Sequence, residues 1–210
     1  MDTKERFLKL PHPTHDSQVP LETALASRRS CRAFDRRIVP LQALSQLLWA
    51  GQGIDTQTRK RPAPSAKQHY PLTLHAVAHH VSKLSIDVYR YNPGNHSLSP
   101  TGLGDLRSTL QGYVLEDQPW LGEAPLMIAV SADIDGMDAA FAEQPPLGRG
   151  ARYAYIEAGA VAQNIQLQAC ALEMGSVLAG AFDDGAVAEA LMLPGGHLPV
   201  GLVCLGYPHG

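Results

Sequence analysis

Residues 149–175 read RGARYAYIEAGAVAQNIQLQACALEMG. The spacing predicts the chain's longest helix over 151–174, spanning roughly 36 Å at ~1.5 Å rise per residue. From Ala158 to Leu172 no residue is charged, and alanines and a glycine keep the surface slim. A helix that lacks a charged face is covered on most sides. In a chain of 210 residues, a second subunit is the natural cover.

Outward from that helix, the pattern is mixed. Residues 1–20 read as an extended lead-in rich in proline and histidine. Pro20 opens a short helix, LETALASRR, and Pro40 a second, LQALSQLLWAGQG, with Leu41, Leu44, Leu47 and Leu48 as its apolar stripe. A polar loop covers 54–70. LTLHAVAHHV and IDVYRY alternate as strands do, with YNPGNHSL as turn material. A helix is predicted in GDLRSTLQGYVLED, a strand in APLMIAVSA, and an irregular loop over 133–150. SVLAG, GAVAEALML and PVGLVCLGYP follow as strand, helix and strand. Strict βα alternation is missing, so the expected class is α+β, with residues 1–210 as one domain.

Composition narrows the function. The chain is 45% apolar, 18% charged and 6% aromatic, which excludes a disordered or coiled-coil protein. Its formal charge of −3 argues against nucleic-acid binding by bulk charge. No run of 18 or more apolar residues suggests a membrane span, and MDTKERFLKLPHPTHD has no apolar signal core, so a cytoplasmic location is expected. Cys31, Cys170 and Cys204 are far apart and odd in number, which disfavours a disulfide framework or a zinc site. His75, His79 and His80 lack a metal-binding pattern. Asp183-Asp184 reads as a helix N-cap. Walker A and G-x-S-x-G motifs are absent, and Gly51-Gln52-Gly53 and Gly102-Leu103-Gly104 both lack the third glycine of a dinucleotide fingerprint.

Charge is concentrated in RRSCRAFDRR (28–37). Five arginines and one aspartate give this segment +4, leaving −7 on the rest. Arg28, Arg29 and Ser30 at a helix-to-loop change can grip a phosphate through charge-assisted bonds, or form an exposed basic helix end. Two further stretches are modest alone. Ala63-Pro64-Ser65-Ala66-Lys67-Gln68 is a stiff loop ahead of a strand. Ala179-Gly180-Ala181-Phe182 is a small-residue turn after one, where a ring can come close.

Taken in order, these stretches resemble the FMN-dependent nitroreductase family. The likeness runs from about residue 20 to 208 and is closest to the SagB-type, thiazole/oxazole-forming dehydrogenase branch. The resemblance implies an α+β fold, with a mostly antiparallel central sheet flanked by helices, in an intertwined homodimer that holds FMN at the subunit interface. It implies that Arg28, Arg29 and Ser30 hold the FMN tail and that Arg32 lies at the pyrimidine edge. It places Pro64, Ser65, Ala66 and Gln68 at the partner subunit's FMN, Gly180 and Ala181 near flavin N5, and Gln118 at the pyrimidine ring. No metal and no protein nucleophile are expected.

The activity it implies is hydride transfer between NAD(P)H and a nitroaromatic or quinone acceptor. The alternatives are azoline-to-azole oxidation in a modified peptide, or flavin binding with little catalysis. The chain departs from the family pattern in four places, one of them Leu147-Gly148-Arg149-Gly150 where Y-G-x-R is usual. Lys67 replaces a usual glycine, Ala160 a histidine and Tyr207 an arginine whose charge Arg149 or Arg152 is available to replace.

Overall fold

The computed structural model describes residues 7–209. At its centre is a seven-stranded sheet in the order β1-β4-β3-β2-β5-β7-β6, with every neighbouring pair antiparallel. The strands are β1 (Leu8–Lys9), β2 (Leu72–Ala78), β3 (Asp87–Asn92), β4 (Ser97–Pro100), β5 (Leu126–Asp133), β6 (Gly175–Ala179) and β7 (His197–Gly206). The middle strands β2, β5 and β7 are near-continuous apolar runs because both of their faces are covered.

On one face lie α2 (Leu41–Gln52) and α6 (Arg149–Ala171). Leu44, Leu47 and Leu48 of α2 are fully buried in the same cluster as Leu74, Ile128, Val161 and Ile165. Burial of each such side chain contributes about 1.5–3 kcal/mol. The other face is covered by α3 (Arg107–Gly112), α4 (Trp120–Glu123) and α7 (Asp184–Ala190). There Leu110, Leu121 and Val187 pack with Val77, Met127, Leu202 and Cys204. α1 (Leu21–Ser27) packs against α6. All three cysteines are free.

The α+β class holds, but several elements differ from the sequence pattern. The segment 133–150 is not a plain loop: α5 (Ile134–Ala140) lies within it, capped by Asp133, whose Oδ1 accepts from Gly136 N at 2.9 Å. The turn region 91–98 opens into β4, a short strand between β1 and β3 with few apolar residues. The helix expected over 104–117 is cut to Arg107–Gly112, because Val114 leaves it to bridge Phe182. The lead-in contributes β1, and residues 1–6 of it fall outside the described chain. Asp183 does cap α7, accepting from Ala186 N.

The longest helix spans 149–171 and is not covered all round. Tyr155 and Ile156 are exposed, as are Gly159 and Gln163 on the same side. Its start is pressed onto α5: a Cβ on Gly150 would lie 2.2 Å from the backbone carbonyl of Met137.

Candidate functional site

The basic segment runs along the free edge of the sheet. α1 ends at Ser27, and the chain then straightens so that Ser30 forms a parallel bridge with Ser176 of β6. Cys31 N donates to Ser176 O at 2.9 Å. This contact covers an edge that would otherwise be open for pairing. Arg28 is half-buried, whereas Arg29 is exposed and bonds back to the Arg28 carbonyl. Beside them is a cavity of about 270 Å³ lined by Arg28, Arg29, Gln166, Glu173, Gly175 and Ser176.

β6 connects this basic end to the small-residue turn. From Ser176 to Gly180 is about 13 Å at strand rise. Gly180 is exposed, and a Cβ added there meets nothing within 4 Å. The Ala181 carbonyl accepts from Leu115 N at 3.0 Å and from Gln118 Nε2 at 3.4 Å. Gln118 is buried, yet its Oε1 accepts no hydrogen bond from the described residues. Arg32 stacks over Trp120, 5.2 Å from its ring centre, which carries the guanidinium toward the same end. Arg28 and Arg29 thus line the cavity at one end of β6, while Gln118 meets Ala181 beside Gly180 at the other end of that strand.

The loop Pro64–Gln68 lies elsewhere in the chain. Ala66 N donates at 2.8 Å to Oε1 of Glu157, a buried carboxylate in the first half of α6. Gln166, at the basic cavity, lies about 13 Å further along that helix. The loop is left-handed at three non-glycine positions: Lys67 (φ 49°), Gln68 (φ 59°) and Tyr70 (φ 51°). Each costs on the order of 1 kcal/mol, a penalty that glycine at 67 would avoid. The Lys67 ammonium lies over the Phe141 ring at 5.0 Å, with His69 against the ring's edge. Arg61 and Tyr70 bracket the loop, the guanidinium 4.3 Å from the Tyr70 ring centre.

The structure also places the arginines near these departures, and the three histidines. Arg149 and Arg152 stand at the start of α6, more than ~20 Å of helix from Gln166, so within one chain neither supplies charge to the basic cavity. Arg37 stacks on Tyr207 at 4.0 Å and pairs with Asp35, placing a guanidinium beside the tyrosine instead. The histidines diverge. His75 is buried, and its pKa is depressed to about 4, chiefly by desolvation and then by the charge of Arg90. His79 Nδ1 stands 3.2 Å from Asp105, a carboxylate distant in sequence. Among the described residues no three histidine, cysteine or acidic groups converge as a metal site would require.

Glu157, Gln166 and Trp120 were not singled out by sequence pattern. Glu157 had a signal: it is the last charged residue before a long uncharged helical run.

The sheet order and the long slim helix packed against it define an α+β protein of nitroreductase-like fold. The model of the nitroreductase family matches residues 25–207, and the chain belongs to that family of oxidoreductases. A Methanocaldococcus jannaschii protein whose name places it among the nitroreductases is 30% identical over 176 residues, 84% of this chain and 86% of that one. A crystal structure from Ralstonia eutropha, titled in the same way, is 30% identical, covers 100% of this chain and 93% of its own, and superposes with a TM-score of 0.82. A structure from Anabaena variabilis shares the fold at a TM-score of 0.75 and 24% identity, over 90% of this chain and 38% of that one. No described helix is long and apolar enough to cross a membrane.

Proposed function

We propose that the protein is an FMN-dependent oxidoreductase, acting as a homodimer, that passes hydride between NAD(P)H and a small electrophilic acceptor of the nitroaromatic or quinone type. The observation that carries this reading is the set of features at the two ends of the outer strand β6. One end is basic, the other offers an unused amide oxygen, and the space over Gly180 is open. These features suit a phosphate tail, a pyrimidine edge and a flat ring in that order.

FMN supplies the hydride chemistry, at N5, when bound. The chain's own residues bind and orient it. Arg28 and Arg29 neutralise the phosphate, and the Ser30 hydroxyl donates to it or to the ribityl chain. Gln118 Oε1 accepts from the ring edge. Arg32 places positive charge where the reduced ring gains negative charge. Gly180 and Ala181 leave one approach free of side chains. Pro64, Ser65, Ala66 and Gln68, anchored by Glu157, reach the flavin site of the second subunit. The exposed Tyr155, Ile156 and Gly159 on α6 support that pairing, as an apolar stripe available to a second copy.

The test is an absorbance spectrum of freshly purified protein followed by anaerobic nicotinamide titration. Flavin bands that bleach under NADH or NADPH and recover with a quinone are expected. Flavin bands inert to both nicotinamides would refute the reductase reading and turn attention to peptide azoline oxidation or simple flavin binding. A protein that neither carries nor takes up FMN would overturn the site assignment.

A further inference from the structure

The β2–β3 ladder stops early. The last paired residues are His75 and Arg90. Beyond them β2 continues to Leu72 beside β5 alone, and β3 continues to Asn92 beside β4 alone. The two strands part here and leave a cavity of about 190 Å³. At about 30 Å³ per water, that is room for roughly six water-sized groups.

The lining of this slot is one-sided in charge. Arg61 and Arg90 both face it, together with Gln52, Tyr70, Thr73 and Asn92, and no carboxylate lines it. Neither arginine has a salt-bridge partner among the described residues. Arg61 is half-buried; it stacks on Tyr70 and gives a single bond to Gln52 Oε1. Desolvation works against its charge, Tyr70 and Tyr91 offset that only in part, and no carboxylate is near to repay it. A guanidinium has five N–H donors, and among the described residues those of Arg61 and Arg90 meet one protein acceptor, Gln52 Oε1. The edge of β2 from Leu72 to Leu74 has no ladder partner in β3 either.

We propose that the slot between the parted ends of β2 and β3 binds one small oxyanion, a phosphate or a carboxylate, between Arg61 and Arg90. Two guanidinium forks facing one small cavity match the geometry by which arginine pairs such anions. The slot lies outside the proposed flavin site, and the inference stands whether or not that site takes FMN.

The experiment is a thermal-melting titration of the full chain with inorganic phosphate and, separately, acetate, at ionic strength fixed with chloride. The comparison is Arg90→Gln, an exposed strand position that leaves the core untouched, supported by Arg61→Lys, which keeps charge and stem but loses the fork. A saturable rise in melting temperature with at least one of the two anions is expected, with the midpoint concentration raised at least tenfold in both variants. The anion that saturates at the lower concentration identifies the headgroup. No saturable rise with either anion, or a rise of equal midpoint in Arg90→Gln and wild type, overturns the proposal.

Discussion

Gly180 offers a clean separation of folding from binding. Its backbone is outside the left-handed region, and the space around a new Cβ is empty to 4 Å. Gly180→Val should therefore fold as the wild type does, with a stability change within about 0.5 kcal/mol, as for an unencumbered surface site. A flat ring seated over the turn meets the two added methyl groups. Overpacking of that kind costs about 1–3 kcal/mol, a loss of affinity of about 5- to 140-fold. The assay is a quenching titration of flavin fluorescence against apo-protein, paired with urea unfolding of the same preparation. Unchanged FMN affinity in the valine variant would refute the placement of the ring. Weaker binding accompanied by an equal loss of stability would refute the argument that the turn is open.

Gly150→Ala should behave in the opposite way. Helix propensity favours alanine by about 1 kcal/mol, but the new Cβ meets backbone of α5 at 2.2 Å, so a net destabilisation of about 2 kcal/mol or more is expected on urea unfolding. Gly112→Ala, with nothing within 4 Å, serves as the neutral control. Ile156→Asp, at an exposed position of α6, should yield a folded monomer by sedimentation with an unaltered circular dichroism spectrum; a persistent dimer would remove α6 from the interface. His75 has its folded pKa pulled down from the usual 6.5 to about 4, so protons favour the unfolded chain. Its contribution is complete above pH 6.5 and is lost as pH falls toward 4, up to roughly 3 kcal/mol at 1.36 kcal/mol per unit. His75→Leu should flatten the stability profile in that window, and an unaltered slope would show that other groups govern it.

The parts of the fold that were legible in the sequence are those whose burial imposes a simple period. Leu41, Leu44, Leu47 and Leu48 face one way on α2 because that face meets the sheet. β5 and β7 are apolar because they lie mid-sheet. α5 was hidden because IDGMDAA is short, holds a glycine and depends on a cap from the preceding strand. β4 was hidden because a four-residue strand, SLSP, holds one apolar side chain and ends in Pro100, so it carries little apolar signal. The site follows the same logic. Arginines and small-residue turns can be read locally, but the bond from Gln118 to Ala181 and the anchoring of Ala66 by Glu157 are tertiary. The left-handed backbone at Lys67 is not signalled by lysine itself, and only the glycine usual at that place in the family pattern points to it.

The loop anchored at Glu157 and the arginines beside Gln166 are held apart by the same rigid rod, so in the homodimer proposed above each flavin site draws on both copies. Two defective genes can then rescue one another. Chains disabled only at Arg28, mixed with chains disabled only at Ser65, reassort into hybrids in which both lesions fall on one side and the opposite side is whole. Random exchange between such twofold assemblies would restore about a quarter of all working centres.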